Sequence, residues 1–320
     1  MPRGPGADGG PFGFDRVVPP NGYAWWYVDA ISADGAHALT VIAFIGSVFS
    51  PYYAAARRWS PTADPLNHVS VNAILYGPRG KHWAMTERGR AALHRSATRI
   101  AIGPSTLGHS SGQLAIDIDE WTVPVPRRLR GRIVIDLGPI FDRAWALDGD
   151  GRHQWQPVAP LARARVAFDK PALGWSGRAY VDMNFGTEPL EAGFRRWDWS
   201  REECGDATRL FYDVEGKDGA HRSLALDYRA DGTILAVDAA PRLRLPRTGW
   251  RVGRATRAEI GHPARVVRTL EDTPFYSRSL LHIDRDGGAS AAIHESVDLA
   301  RFSAGWVQTL LPFKMPRKTW

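Results

Sequence analysis

The chain has 320 residues, 44% hydrophobic and 23% charged, which suits two domains or one large all-β domain with a real core. Its net charge of +7 is mostly Arg, since Lys occurs only as Lys81, Lys170, Lys217, Lys314 and Lys318. Such a diffuse excess fits an anionic membrane surface or simple solubility, whereas the lack of zinc-finger spacing, helix-turn-helix pattern or basic repeat argues against a nucleic-acid partner.

The single cysteine, Cys204, forbids an internal disulfide and points to a reducing compartment. The N-terminal stretch has no apolar h-region, so no secretory signal is expected. The longest nearly uncharged apolar run, residues 38–49, is too short to span a bilayer as a helix. Thirteen Trp suggest a deep apolar pocket or a surface that meets membrane or ligand.

In chain order, residues 1–20 are rich in Gly and Pro and read as a flexible arm or irregular lid. Residues 23–31, YAWWYVDAI, read as a strand, Asp34-Gly35 as a turn, and residues 38–49 as the returning strand. Residues 51–61 change texture and read as one short helix and a lid. Tyr52, Tyr53, Arg57, Arg58 and Trp59 within them also suit a bilayer rim, as does the tail 314–320. Strands follow at 69–76, 81–87, 98–102, 113–119, 131–136, 155–158 and 162–168, separated by clusters such as Gly77-Pro78.

The stretch 175–191, WSGRAYVDMNFGTEPLE, is the most informative. In an extended strand, Tyr180, Asp182 and Asn184 share one face, and Val181, Met183 and Phe185 share the other. Asp and Asn are uncommon inside strands. The carboxylate either faces water on a half-exposed sheet or is held inside for chemistry, and the pattern alone favours water.

Beyond Arg195 the rhythm restarts, with short strands at 209–214, 223–228, 233–237, 276–283 and 289–296 and turns at Asp218-Gly219, Asp231-Gly232 and Asp286-Gly287-Gly288. The texture breaks between 186 and 201, which places a domain boundary near 190. The expected fold is all-β: two antiparallel β-barrel domains, 1–190 and 191–320, packed side by side, with few short helices.

Candidate chemistry is narrow. The ten His are scattered, and neither HExxH nor a Cys cluster occurs, so no metal is expected. Walker A, GxGxxG and GxSxG patterns are absent. Carboxylates and aromatics remain. His153 and Trp155 lie two apart, as do Tyr180 and Asp182, and neighbouring strands can bring the pairs together. On spacing alone, a polar network tying two strands is the favoured reading.

These same residues carry a resemblance. GRAYVDMNFGTEPLEAGFRRWDWSR, RHQWQPVAPLARARV, SVNAILYGPRGKHWAMTERG, IGPSTLGHSSGQLAIDIDEW and DLARFSAGWVQTLLPFKMPRK together resemble carotenoid 1,2-hydratase (hydroxyneurosporene synthase), from about Tyr23 to the end of the chain. The resemblance implies two lipocalin-like barrels, the first carrying the active site. It implies water addition to the terminal C1=C2 bond of acyclic carotenes such as neurosporene and lycopene, as in photosynthetic bacteria, without a cofactor. It also places the protein at the cytoplasmic side of an intracytoplasmic membrane, peripherally attached.

The implicated residues fall on His153, Trp155, Tyr180 and Asp182. Trp25, Trp26, Tyr27, Asn184 and Phe185 are the substrate-binding candidates. The chain departs from the pattern at Arg178-Ala179, where a glycine-rich turn precedes the motif tyrosine, and at Ala24, where wider relatives carry Glu. The chemistry fits: Asp182 in an apolar barrel interior would stay protonated and act as general acid. Tyr180 and Trp155 would stabilise the tertiary carbocation, and His153 would act as base or water holder. A pericyclase or isomerase, or a non-catalytic carrier of hydrophobic ligands, on the same fold are the alternatives.

Overall fold

In a computed structural model that describes residues 10–285 and 288–318, the chain forms two units. The first runs to Pro189 and takes in the chain again from Thr309; the second runs from Leu190 to Gln308. The closing segment therefore groups with the first unit, although the sequence assigns it to the second domain.

The first unit is built on β1 (Tyr23–Ser32), β2 (Ala38–Ile45), β3 (Val69–Gly77), β4 (Gly80–Arg88), β5 (Leu93–Ser96), β6 (Arg99–Ile102) and β7 (Ser105–Ser110). It continues with β8 (Gln113–Trp121), β9 (Arg128–Asp136), β10 (Trp145–Ala146), β11 (His153–Ala159), β12 (Arg163–Lys170) and the long β13 (Ala172–Gly186). Among the described residues these form one sheet in the order β4-β3-β2-β1-β13-β12-β9-β8-β7-β6-β5, with β11 on β13 and β10 on β11.

The sheet curls until its far parts meet. Val123 N–H donates to Trp83 O at 3.0 Å, and Arg88 pairs with Glu120 at 2.7 Å, both side chains buried. Strand alternation fills the inside. Trp26, Val28 and Ala30 of β1 meet Ala179, Val181 and Met183 of β13, and Ile116, Ile118, Ile133 and Ile135 complete the core. Each such fully buried aliphatic side chain contributes about 1.5–3 kcal/mol.

The arm expected to be flexible is part of this core where it is described. Phe12 and Phe14 are 1% and 0% exposed and stack at 5.4 Å, and the Phe12 carbonyl accepts from Trp26 Nε1–H at 2.7 Å. Two aromatics among the glycines outweigh the flexibility that Gly and Pro suggest. Residues 1–9 of the arm, Asp286 and Gly287 of the last predicted turn and the final two residues of the tail lie outside the described residues.

The predicted short helix is α1 (Pro51–Trp59), capped by Ser50 Oγ, which accepts from the Tyr52 and Tyr53 N–H groups. Tyr53 is fully buried and its hydroxyl donates to Gly22 O at 2.8 Å, so it is not a rim residue. Trp59 is 89% exposed.

After α2 (Leu190–Gly193), the second unit contains β14 (Phe194–Cys204), β15 (Ala207–Gly216), β16 (His221–Arg229) and β17 (Ile234–Ala236). Then come β18 (Arg242–Leu245), β19 (Arg254–Arg257), β20 (Ala264–Asp272), β21 (Tyr276–Arg285) and β22 (Gly288–Asp298). The order is β17-β16-β15-β14-β22-β21-β20, and β18 pairs with β19. The helices α3 (Leu299–Phe302) and α4 (Gly305–Lys314) follow, and β23 (Arg317–Lys318) adds to β4.

Strand β14 falls where the sequence shows only a break in texture. Its charges hide the strand pattern because they are paired: Arg196 with Glu215 at 2.6 Å, and Asp198 with Ser296 Oγ–H at 2.5 Å. The all-β expectation with few short helices holds.

Candidate active site

The site is built where β1 and β11 flank β13. The register sets Trp25 opposite Asn184, Tyr27 opposite Asp182 and Asp29 opposite Tyr180, while Trp155 of β11 also lies opposite Asn184. Directly opposed residues of antiparallel strands share a face. Trp25, Tyr27, Asp29, Tyr180, Asp182, Asn184 and Trp155 therefore line one wall.

This wall is not the one turned to the first unit's interior. The interior belongs to Ala179, Val181 and Met183. The expectation of Asp182 on an inward barrel face is corrected: that interior is already filled with apolar side chains, and a two-residue period leaves the polar set on the other face. The carboxyl is nevertheless enclosed, at 4% exposure, with Tyr180 and Trp155 at 0%.

Three donors converge on Asp182. Trp155 Nε1–H and Tyr180 O–H both donate to Oδ2, each at 2.9 Å, and Asn184 Nδ2–H donates to Oδ1 at 3.2 Å. Hydrogen bonds of this kind favour the charged form, while burial favours the neutral acid. Oδ2 thus accepts twice and Oδ1 once. Trp155 and Tyr180 thus meet Asp182 through their polar edges, which grip the carboxyl, rather than by offering a face alone.

His153 stands apart from this group. It lies opposite Gly186, four positions along β13 from Asp182, or about 13 Å of strand. Its Nδ1 is 2.8 Å from the Tyr23 hydroxyl and its Nε2 is 3.3 Å from Glu188 Oε1. Burial lowers the His153 pKa, opposed by Asp148 and Glu188, and burial with the same two carboxylates raises that of Tyr23. A neutral imidazole and a protonated phenol fix the pattern: Tyr23 O–H donates to Nδ1, and Nε2–H donates to Glu188.

Asp148, His153 and Glu188 each offer a ligand atom within 4.8 Å of one another. Both His153 nitrogens are engaged, however, and Arg152 holds Glu188 Oε2 at 3.0 Å. Asp148 accepts from the Arg152 and His153 backbone N–H groups at 3.2 and 3.3 Å, so the trio is a hydrogen-bonded cluster in which Arg152 already neutralises Glu188.

Two of the substrate-binding candidates lie on the opposite face. Trp26 belongs to the apolar core, and Phe185 packs against that core with the Arg16 guanidinium 3.6 Å over its ring. Grouping Trp25, Trp26 and Tyr27 overlooks the strand alternation that separates the middle residue from its neighbours. Trp25 and Tyr27 do line the wall. Trp25 stacks on Tyr23 at 5.0 Å, and Tyr27 meets Tyr180 edge-on at 6.1 Å.

Asp29, Tyr23 and Glu188 are the members that sequence reading overlooks. Asp29 is fully buried and accepts from Tyr27 O–H at 2.9 Å. The signal for it was present, because Tyr27-Val28-Asp29 repeats the spacing of Tyr180-Val181-Asp182.

Residues 41–320 match the family described as carotenoid hydratase CrtC. An acyclic carotenoid 1,2-hydratase of Thiocapsa roseopersicina is 51% identical over 305 residues, covering 95% of this chain and 75% of the relative. Another, from Rubrivivax gelatinosus, is 47% identical over 307 residues, covering 95% and 76%. Kievitone hydratase from Nectria haematococca superimposes with a TM-score of 0.54 at 10% identity, covering 92% of this chain and 94% of that structure, and supports the fold alone. The extent and identity of these matches show that the chain belongs to the carotenoid hydratase CrtC family.

Proposed function

We propose that this protein adds water across the terminal C1=C2 double bond of an acyclic carotene, with Asp182 as the general acid and no cofactor. Family membership supports the reaction class. The observation that carries the mechanism is the buried carboxyl of Asp182, gripped by Trp155, Tyr180 and Asn184. Protonation of C2 forms a tertiary cation at C1 and leaves a carboxylate at Asp182. The three donors are already aimed where that negative charge develops, which lowers the barrier without reorganisation at the moment of reaction. Cation–π contact with Trp25 or Tyr27 contributes about 0.5–2 kcal/mol per ring. Water then captures C1 and loses a proton. Addition of water is redox-neutral overall, so no electron donor or acceptor is required.

The direct test is incubation with neurosporene or lycopene in D2O. The expected product gains one water and carries one non-exchangeable deuterium at C2. Binding of the polyene without any product would favour a carrier, and an isomer without added water would favour a pericyclase or isomerase.

The substrate class dissolves in lipid, and we assign membrane docking to α4. Trp306, Leu310 and Phe313 are 49%, 44% and 74% exposed at i, i+4 and i+7 of this helix. Exposed Lys314 and Lys318 follow, and among the described residues no helix is long and apolar enough to cross a membrane. An apolar stripe with basic residues beside it suits the surface of an anionic leaflet. Phe313→Glu is expected to reduce flotation with phosphatidylserine-containing vesicles several-fold and to leave hydration of detergent-dispersed carotene unchanged. Undiminished flotation would remove α4 from this role.

A further inference from the structure

We propose that Asp29 is the base that takes the proton from the attacking water, so that Asp29 and Asp182 form an acid–base pair. The inference deepens the hydratase reading and rests on it.

The pair arises from a reciprocal arrangement of two strands. Tyr27 and Asp29 of β1 run antiparallel to Tyr180 and Asp182 of β13, and each tyrosine lies directly opposite the other strand's aspartate. Each aspartate also accepts from the tyrosine two residues before it on its own strand, both at 2.9 Å. The two aspartates are thus diagonal neighbours on one face, at positions whose backbones lie about 7–8 Å apart in an antiparallel pair. Both are enclosed, Asp29 at 0% and Asp182 at 4% exposure.

Two buried carboxyls on one face disfavour double ionisation, which favours a shared proton. The donors decide where it is useful. Trp155, Tyr180 and Asn184 are placed to stabilise Asp182 once it has given its proton away. His153, about 13 Å of strand away and engaged by Tyr23 and Glu188, is less well placed for the water.

The step balances. The Asp182 O–H breaks as the π pair of C1=C2 forms the new C2–H bond. A water lone pair forms C1–O, and the water O–H breaks with its proton passing to Asp29. The product is a tertiary alcohol. Asp182 has lost the proton that Asp29 has gained, and exchange between them or with bulk water restores the start. With both groups on the same wall, hydrogen and hydroxyl are expected on the same side of the double bond.

The test has two arms. Asp29→Asn is nearly isosteric, and it is expected to lower kcat about 100-fold with unchanged polyene binding and circular dichroism, while Asp29→Glu retains more activity than the amide. Wild-type protein in D2O, given a carotene labelled in one of its two C1 methyl groups, is expected to yield the syn adduct. Near-wild-type turnover of Asp29→Asn, or anti addition by the wild type, would overturn the assignment. If Asp29→Asn does not fold, the wild-type stereochemistry decides alone. A wild type that hydrates no acyclic carotene would instead overturn the hydratase reading, and this pair with it.

Discussion

Replacing Asp182 by Asn is expected to lower carotene hydration by about 10³-fold or more, which corresponds to about 4 kcal/mol or more of transition-state stabilisation. The reasoning begins with the alkene. An isolated trisubstituted double bond has no other route to the tertiary cation than proton delivery, so the acid is not one contributor among several. The amide has no acidic proton at this strength, and it breaks the surrounding pattern as well. Trp155 and Tyr180 both donate to Oδ2, so the new amide oxygen takes that place and its NH2 faces Asn184, whose amide must turn to offer Oδ1. Any mismatch left costs at most about 1–3 kcal/mol, within the 5–15 kcal/mol that a folded domain typically has, so the variant should fold. Rate and stability are therefore read separately: product by mass spectrometry, and midpoint by guanidinium titration. Turnover within threefold of wild type in a folded Asp182→Asn protein would exclude Asp182 as the acid.

Much of this site was legible because β13 is a strand and strands have a period of two. The sequence YVDMNF separates Tyr180, Asp182 and Asn184 from Val181, Met183 and Phe185, and the structure keeps that division. What the period cannot supply is which face is interior, since both are buried here. The apolar set turned inward and the polar set was buried by other means, a case that an exposed-or-inside choice does not include. The same rule, applied to β1, would have placed Trp26 with the core and revealed Asp29 beside Tyr27. Taken as a block, the aromatics WWY hide the residue-by-residue alternation.

The fold shows a similar limit. Hairpins with Asp-Gly turns announced themselves locally, but β14 did not, because its Arg, Asp and Glu side chains find partners only once distant strands are assembled. The arm illustrates the converse. Its glycines are local information, whereas the docking of Phe12 and Phe14 on Trp26 is tertiary.

The register that makes the site is itself held by a steric constraint, which yields the second large effect: Gly177→Ala is expected to destabilise the protein by about 3 kcal/mol or more. Gly177 pairs with Ser32 at the end of the β1–β13 ladder. A Cβ there would lie 1.8 Å from the Ile31 carbonyl oxygen, 2.7 Å from its carbon and 2.8 Å from Ser32 Cα. All three atoms are backbone, so no side chain can rotate away and β1 itself must move. A one-residue slip is closed to it, because that would exchange Tyr27 and Asp29 for Trp26, Val28 and Ala30 on the catalytic wall and expose the core set. The strain must then appear as lost stability and, in whatever protein folds, as slower hydration through a displaced Tyr27–Asp182 pairing. Gly174 of the same strand supplies the control. Its added Cβ would meet only Val166 O at 3.7 Å, an ordinary contact, so Gly174→Ala should be neutral or stabilising by up to about 1 kcal/mol. Guanidinium midpoints at constant slope measure both variants on one scale. Equal midpoints for the two would mean that β1 yields at Gly177 without cost, and the argument that this glycine locks Tyr27 opposite Asp182 would fail.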